Sequence, residues 1–139
     1  MRRVALGLAL AGVVLSGCGR VSSTSALAQW SHQSNFEQSV SILLGDARHA
    51  ASALRAASSL NDLHTVCAVL LVDVQSANAA LPTPDDQTSK LLSTAYNDLG
   101  AGAHRCYVAD SAPRRERALA DLTRGAGELV EARTRVRAA

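Results

Sequence analysis

From Phe36 onward the apolar residues recur in alternating steps of four and three: Phe36, Val40, Leu43, Ala47, Ala50, Leu54 and Ala57. That spacing collects one face of an α-helix into the seam by which helices pack in bundles. A strand alternates with a period of two and would scatter the same residues over both faces. Three more seams follow, through Leu63, Cys67, Leu70, Val74, Ala77 and Leu81; through Thr88, Leu92, Ala95, Leu99, Gly102 and Cys106; and through Leu119, Leu122, Ala126, Leu129 and Val136.

Helix start signals stand between the seams. Ser34 with Glu37 three residues on predicts a capping box before the first helix. Asn61 and the acidic Asp62 mark the second start, Thr83-Pro84-Asp85-Asp86 the third, and Asp110-Ser111-Ala112-Pro113 the fourth. Connections this short make neighbouring helices antiparallel, so the expected fold is all-α, an up-down-up-down four-helix bundle over residues 35–139. Composition agrees: 47% of the 139 residues are hydrophobic but only 3% aromatic, too few for a sandwich or barrel that leans on aromatic side chains.

The N-terminus reads as an export address. Met1-Arg2-Arg3 is basic, and the apolar run Val4 to Leu15 is too short to span a bilayer, which takes about 20 residues. It ends in Leu15-Ser16-Gly17-Cys18, which resembles the lipobox of bacterial lipoproteins. The resemblance implies removal of residues 1–17, lipidation of Cys18 and attachment to the outer face of the cell membrane through at least two acyl chains. Ala26-Leu27-Ala28 offers an alternative cleavage motif that would free a chain starting at Gln29, but it lies well beyond the apolar run. Residues 18–34, rich in serine, are expected to form a flexible tether, with Trp30 resting either on the lipid surface or on the end of the bundle.

In an exported domain Cys67 and Cys106 make an even pair, both in seams, and are expected to form a disulfide. One geometric condition attaches to it. Counted from the turn between their helices, the two cysteines are offset by roughly 13 Å at 1.5 Å per residue, so Leu81-Pro82-Thr83-Pro84 has to climb in extended form. Zinc is the competing reading, because His64 and Cys67 share a helix face; His104 and Cys106 point to opposite sides and disfavour it. No metal or other cofactor is expected.

Gly100 and Gly102 in the third predicted helix, and Gly125 and Gly127 in the fourth, lie at one level of an antiparallel hairpin. They are expected to serve either close backbone approach or a groove that admits a ligand. No nucleophile elbow or paired-carboxylate signature appears, and the chain is expected not to be an enzyme. Asp73, inside Val69-Leu70-Leu71-Val72-Asp73-Val74, is the most unusual acid and is expected at the edge of its seam, reaching water. From Pro113 onward seven arginines face four acids, whereas Cys18 to Ala112 carries five basic and eight acidic residues. The last helix is expected to be solvated, with Arg135 pairing to Glu131; anionic headgroups or an acidic protein face are the functional alternatives. Export excludes nucleic acid.

Cys67, Leu81-Pro82-Thr83-Pro84-Asp85, Ala95-Tyr96 with Leu99, and Cys106 are together similar to small uncharacterised exported proteins of high-GC Gram-positive bacteria. That resemblance implies no catalytic residue. The sequence therefore points to a membrane-anchored binding or scaffolding module whose partner is an envelope protein or polymer. The alternative is a small carrier holding an apolar ligand between the third and fourth helices.

Overall fold

The computed structural model describes residues 22–139, so Cys18 and the export segment lie outside it. The described chain is all-helical: α1 (Ser23–Gln33), α2 (Phe36–Arg55), α3 (Leu60–Asn78), α4 (Asp86–Tyr107) and α5 (Ala112–Arg137). Packing follows chain order, α2 on α3, α3 on α4 and α4 on α5, and α5 also packs on α2; α1 packs on α2 and α5. Leu43, Leu63, Leu70, Leu92, Leu99, Leu122 and Leu129 are fully buried along the shared axis, each contributing about 1.5–3 kcal/mol by leaving water.

The fifth helix, α1, corrects the expected tether over Ser23–Gln33. Ser22 caps it by accepting from the Ser25 amide at 3.3 Å. Leu27 and Trp30, three residues apart, share the face turned to the bundle, where Leu27 is buried. The Trp30 indole packs on Phe36 with centroids 5.3 Å apart, and its Nε1 donates to the Ala80 carbonyl at 3.1 Å. Two apolar side chains and one hydrogen bond dock a segment whose serines suggested solvent. Of the two placements open to Trp30, the structure shows the bundle end.

Helix starts shift from their expected places by one to two residues. Asn35, in the left-handed region at φ 51°, precedes α2, and the Ser34–Glu37 capping box does not form. The Glu37 carboxylate instead accepts from Arg133 and Arg137, since two guanidiniums outbid one amide for the same oxygens. Ser59 rather than Asn61 caps α3, accepting from the Asp62 amide at 3.2 Å and donating to its carboxylate at 2.6 Å. Asp85 rather than Thr83 caps α4, accepting from the Thr88 amide at 2.8 Å, while Thr83 Oγ1 ties the turn by donating to the Asp85 carbonyl at 2.7 Å. Ala57 adopts φ 51° beyond the end of α2 and is exposed, so that seam ends at Leu54.

In α5 the buried seam is Ala118, Leu122, Gly125, Leu129, Ala132 and Val136. Leu119 and Ala126, expected in it, are half-buried at its flank. Small residues carry half of this seam, and a reading that follows large side chains drifts off it.

Cys67 and Cys106 are both fully buried and stand at disulfide distance, Cα to Cα 5.9 Å. The expected axial offset is present. Cys67 lies eleven residues before the end of α3 and Cys106 twenty after the start of α4. The connection from Ala79 to Asp85 takes up the difference of nine residues, about 13 Å at helical rise. α4 thus overtops α3, and the Trp30 end of α1 sits where α3 has stopped, on the carbonyl of Ala80.

Candidate functional site

Because α1 packs on α2 and α5 but not on α4, a groove opens between α1, the start of α4 and the end of α5. It has a volume of about 580 Å³. Leu27 and Leu91 give it an apolar floor, and Thr24, Gln87, Thr134 and the Asp85–Arg135 pair give it a polar rim. Arg135 Nε donates to Asp85 Oδ2 at 3.0 Å and to Thr88 Oγ1 at 3.1 Å. With the Thr88 donors added, the arginine holds the Asp85 carboxyl down at about 2. The Asp85 carboxyl is therefore ionised and paired at physiological pH, and Glu131 adds to the rim an acid outside any ion pair among the described residues. A groove of this size with few convergent polar groups suits a small amphipathic ligand. Sequence reasoning missed it, because it exists only once the presumed tether has become α1.

The glycine level between α4 and α5 is not a groove at Gly102 and Gly125. A Cβ on Gly125 would lie 2.7 Å from the Leu99 amide nitrogen and 3.0 Å from the Ala95 carbonyl oxygen. On Gly102 it would lie 2.9 Å from the Leu122 amide nitrogen and side chain. The two backbones meet there, as expected of close approach. Gly100 and Gly127 do not join them: Gly100 has 3.7 Å to Val74 Cγ1 and Gly127 faces open space.

The cysteines face each other rather than histidines. His64 stacks on Tyr107 with centroids 4.1 Å apart, and His104 is exposed. Among the described residues no group of three or more His, Cys, Asp or Glu side chains is placed to hold a metal ion.

Five of the seven arginines of α5 reach beyond their own helix, whereas Arg114 pairs with Asp110 four residues back and Arg117 is in no ion pair among the described residues. Arg135 pairs with Asp85, not Glu131, which corrects the expected intrahelical pair. Arg133 and Arg137 both bind Glu37 and hold its carboxyl at about 2. Arg124 bridges Asp98 of α4 and Asp121 of its own helix. Asp121, buried beside the seam at 4% exposed, also takes Arg105 of α4. Arg115 Nη2 donates to the Ser58 carbonyl at 3.0 Å, reaching the α2–α3 turn.

Two carboxyl groups are shifted the other way. Burial raises Asp46 above the usual carboxylate range, and the neighbouring Asp73 carboxyl raises it further. Burial also raises Glu128, with Asp98 adding to the effect. Asp46 Oδ2 and Glu128 Oε2 are buried without a hydrogen-bond partner. Asp73 is half-buried at the flank of its seam, against Asp46 on α2.

Comparison with protein-family models, with curated proteins and with solved structures returns no match. Among the described residues no helix is long and apolar enough to cross a membrane.

Proposed function

We propose that the chain is a cell-envelope lipoprotein, anchored through Cys18 to the outer face of the membrane, whose helical domain is a binding or scaffolding module for an envelope protein or polymer. The observation that carries the anchor is the string Leu15-Ser16-Gly17-Cys18 behind a basic start and a short apolar run. In this reading α2 to α5 are an up-down-up-down bundle, Cys67–Cys106 is its disulfide, and α1 joins anchor to bundle without a long tether. Only four residues separate Cys18 from the first α1 residue, Ser23, a reach of about 17 Å over the five steps at full extension. The domain is thereby held close to the lipid. Side chains of α5 that form ion pairs inside the fold are spent on its stability, which favours binding by shape over capture of anionic headgroups.

The groove between α1, α4 and α5 favours a second reading, the carrier of a small ligand, at a different place from the glycine level. One experiment separates the two: intact mass of the protein extracted from membranes, before and after reduction, followed by native mass spectrometry. A chain starting at Cys18 with added acyl mass, two daltons heavier on reduction and free of bound small molecules, supports the anchored module. A chain without acyl mass refutes the anchor, and a co-purifying small molecule lost on L91R substitution in the groove floor establishes the carrier.

A further inference from the structure

Arg135 follows Glu131 by four residues on α5, the spacing of an intrahelical ion pair, and turns instead to the neighbouring helix. Its Nε and Nη2 donate to the Asp85 carboxylate at 3.0 and 3.4 Å, and the Nε also donates to Thr88 Oγ1 at 3.1 Å. The Thr88 amide donates to the same carboxylate at 2.8 Å. Glu131 is thereby left without an ion pair among the described residues, and it lines the groove between α1, α4 and α5.

Asp85, Glu131 and Arg135 are the charged side chains of that groove. The Asp85–Arg135 pair cancels, so the side chains of the lining carry one net negative charge, that of Glu131. An anion finds no open charged donor there, since the Arg135 guanidinium already serves Asp85 and Thr88. The other arginines of this stretch of α5, Arg133 and Arg137, bind Glu37 on α2. Leu27 and Leu91 supply an apolar floor, and the volume of about 580 Å³ suits a small molecule rather than a polymer. A bare metal ion does not fit this lining: calcium takes about six to eight oxygen ligands, and the groove has one uncommitted carboxylate.

We propose that this groove binds a small organic cation with an apolar body, its ammonium group against the Glu131 carboxylate and its hydrocarbon on Leu27 and Leu91. The inference rests on the carrier reading of the groove and adds the chemical class of the ligand. A charged head that enters with a hydrocarbon tail gives up part of its hydration, and a carboxylate at the mouth offsets that loss through a charge-assisted hydrogen bond. Glu131 is exposed, so the head keeps water on its outer side while the tail is buried. An anionic amphiphile of the same shape meets Glu131 as a like charge, and a neutral one gains nothing from it.

The test is a two-dimensional amide NMR titration of the full chain in a neutral detergent with three probes that share one tail: hexylammonium, hexanol and hexanoate. Hexylammonium is expected to shift the amides of Leu91 and Thr134 and to bind more tightly than the other two. Its affinity for E131Q is expected to fall about fivefold, the worth of one partly exposed ion pair, and L91R is expected to abolish binding. E131Q is expected to melt with the wild type, so that its weaker affinity reports the lost carboxylate and not a lost fold. The ligand class is overturned, with the carrier reading left standing, if hexanol or hexanoate shifts the same amides at least as tightly, or if E131Q leaves the hexylammonium affinity unchanged. No shift at these amides with any probe overturns the class and the carrier together. Binding of hexylammonium only after R20Q also overturns the proposal, because the cation of the groove is then the chain's own Arg20, three residues before the start of α1.

Discussion

The four clustered glycines should respond to alanine with opposite signs although all four lie in helices. Alanine gains up to about 1 kcal/mol over glycine in a helix interior. At Gly127 nothing lies within 4 Å of the added Cβ, and at Gly100 the nearest atom is Val74 Cγ1 at 3.7 Å, an ordinary contact. G127A and G100A are therefore expected to stabilise the domain by about 0.5–1 kcal/mol. At Gly125 the Cβ meets backbone on two sides, the Leu99 nitrogen at 2.7 Å and the Ala95 oxygen at 3.0 Å. Backbone cannot rotate away as a side chain can, so α4 and α5 have to separate along their most intimate contact. Overpacking of this kind costs about 1–3 kcal/mol and occasionally more, which leaves G125A destabilised by about 1–2 kcal/mol after the gain in propensity. G102A meets the Leu122 amide nitrogen at 2.9 Å and should behave alike. Urea unfolding followed by circular dichroism measures each variant. With a shift of very roughly 4 °C per kcal/mol for a domain near this size, thermal melts should separate G127A from G125A by several degrees. Equal stability of these two variants, or a stabilised G125A, would refute the argument from backbone contact.

Reduction, or the C67A/C106A pair, should lower stability by up to about 4 kcal/mol, the loop-entropy value for a loop of about 40 residues; a chevron or urea midpoint unmoved by reductant would show that no bond exists. D46N should stabilise the fold at neutral pH. A carboxyl whose folded pKa lies above its unfolded value favours the fold only when protonated, so its penalty grows as pH rises through the folded pKa and disappears below the unfolded one; a gain that persists undiminished in strong acid would contradict this. Glu37 is the reverse case, held at about 2 by Arg137 and Arg133. Its contribution is complete above its unfolded value of 4.5 and is lost as pH falls toward 2. Its side chain is 41% exposed, so solvent screening limits the E37Q loss at pH 7 to under about 1 kcal/mol, and the difference from wild type should shrink steadily in acid melts.

How far the fold could be read from the residues depended on how unbroken the helical spacing was. The α2 seam from Phe36 to Leu54 and the α4 seam from Thr88 to Cys106 are buried at every position expected, because their steps of four and three run without a gap and leave one face only. In α5 the seam runs through Ala118, Gly125 and Ala132, whose burial depends on how closely α4 approaches. That closeness is a tertiary fact, and the spacing of leucines alone placed Leu119 and Ala126 in the seam instead. Cysteine proximity was legible because seam membership fixes the inward direction. The Asp85–Arg135 rim was not, since the residues are fifty apart and no local periodicity connects them. Trp30 illustrates a third case: its single distant acceptor, the Ala80 carbonyl, turns an apparently unpacked segment into α1.

The charge asymmetry along the chain has its explanation in the same long-range pairs. Arg133 and Arg137 neutralise an acid at the start of α2, Arg135 the cap of α4, and Arg124, with Arg105, the acids at the α4–α5 contact. A basic last helix is thus matched in space by acids contributed earlier in the chain, and the surplus that the linear sequence displays is largely cancelled where the helices meet. Cancelled charges project little field beyond a Debye length, so the paired arginines of α5 add little to the field outside the fold. The charges outside these pairs, Arg48, Arg55, Lys90 and Arg117 against Asp86, Glu116 and Glu131, are exposed and of both signs.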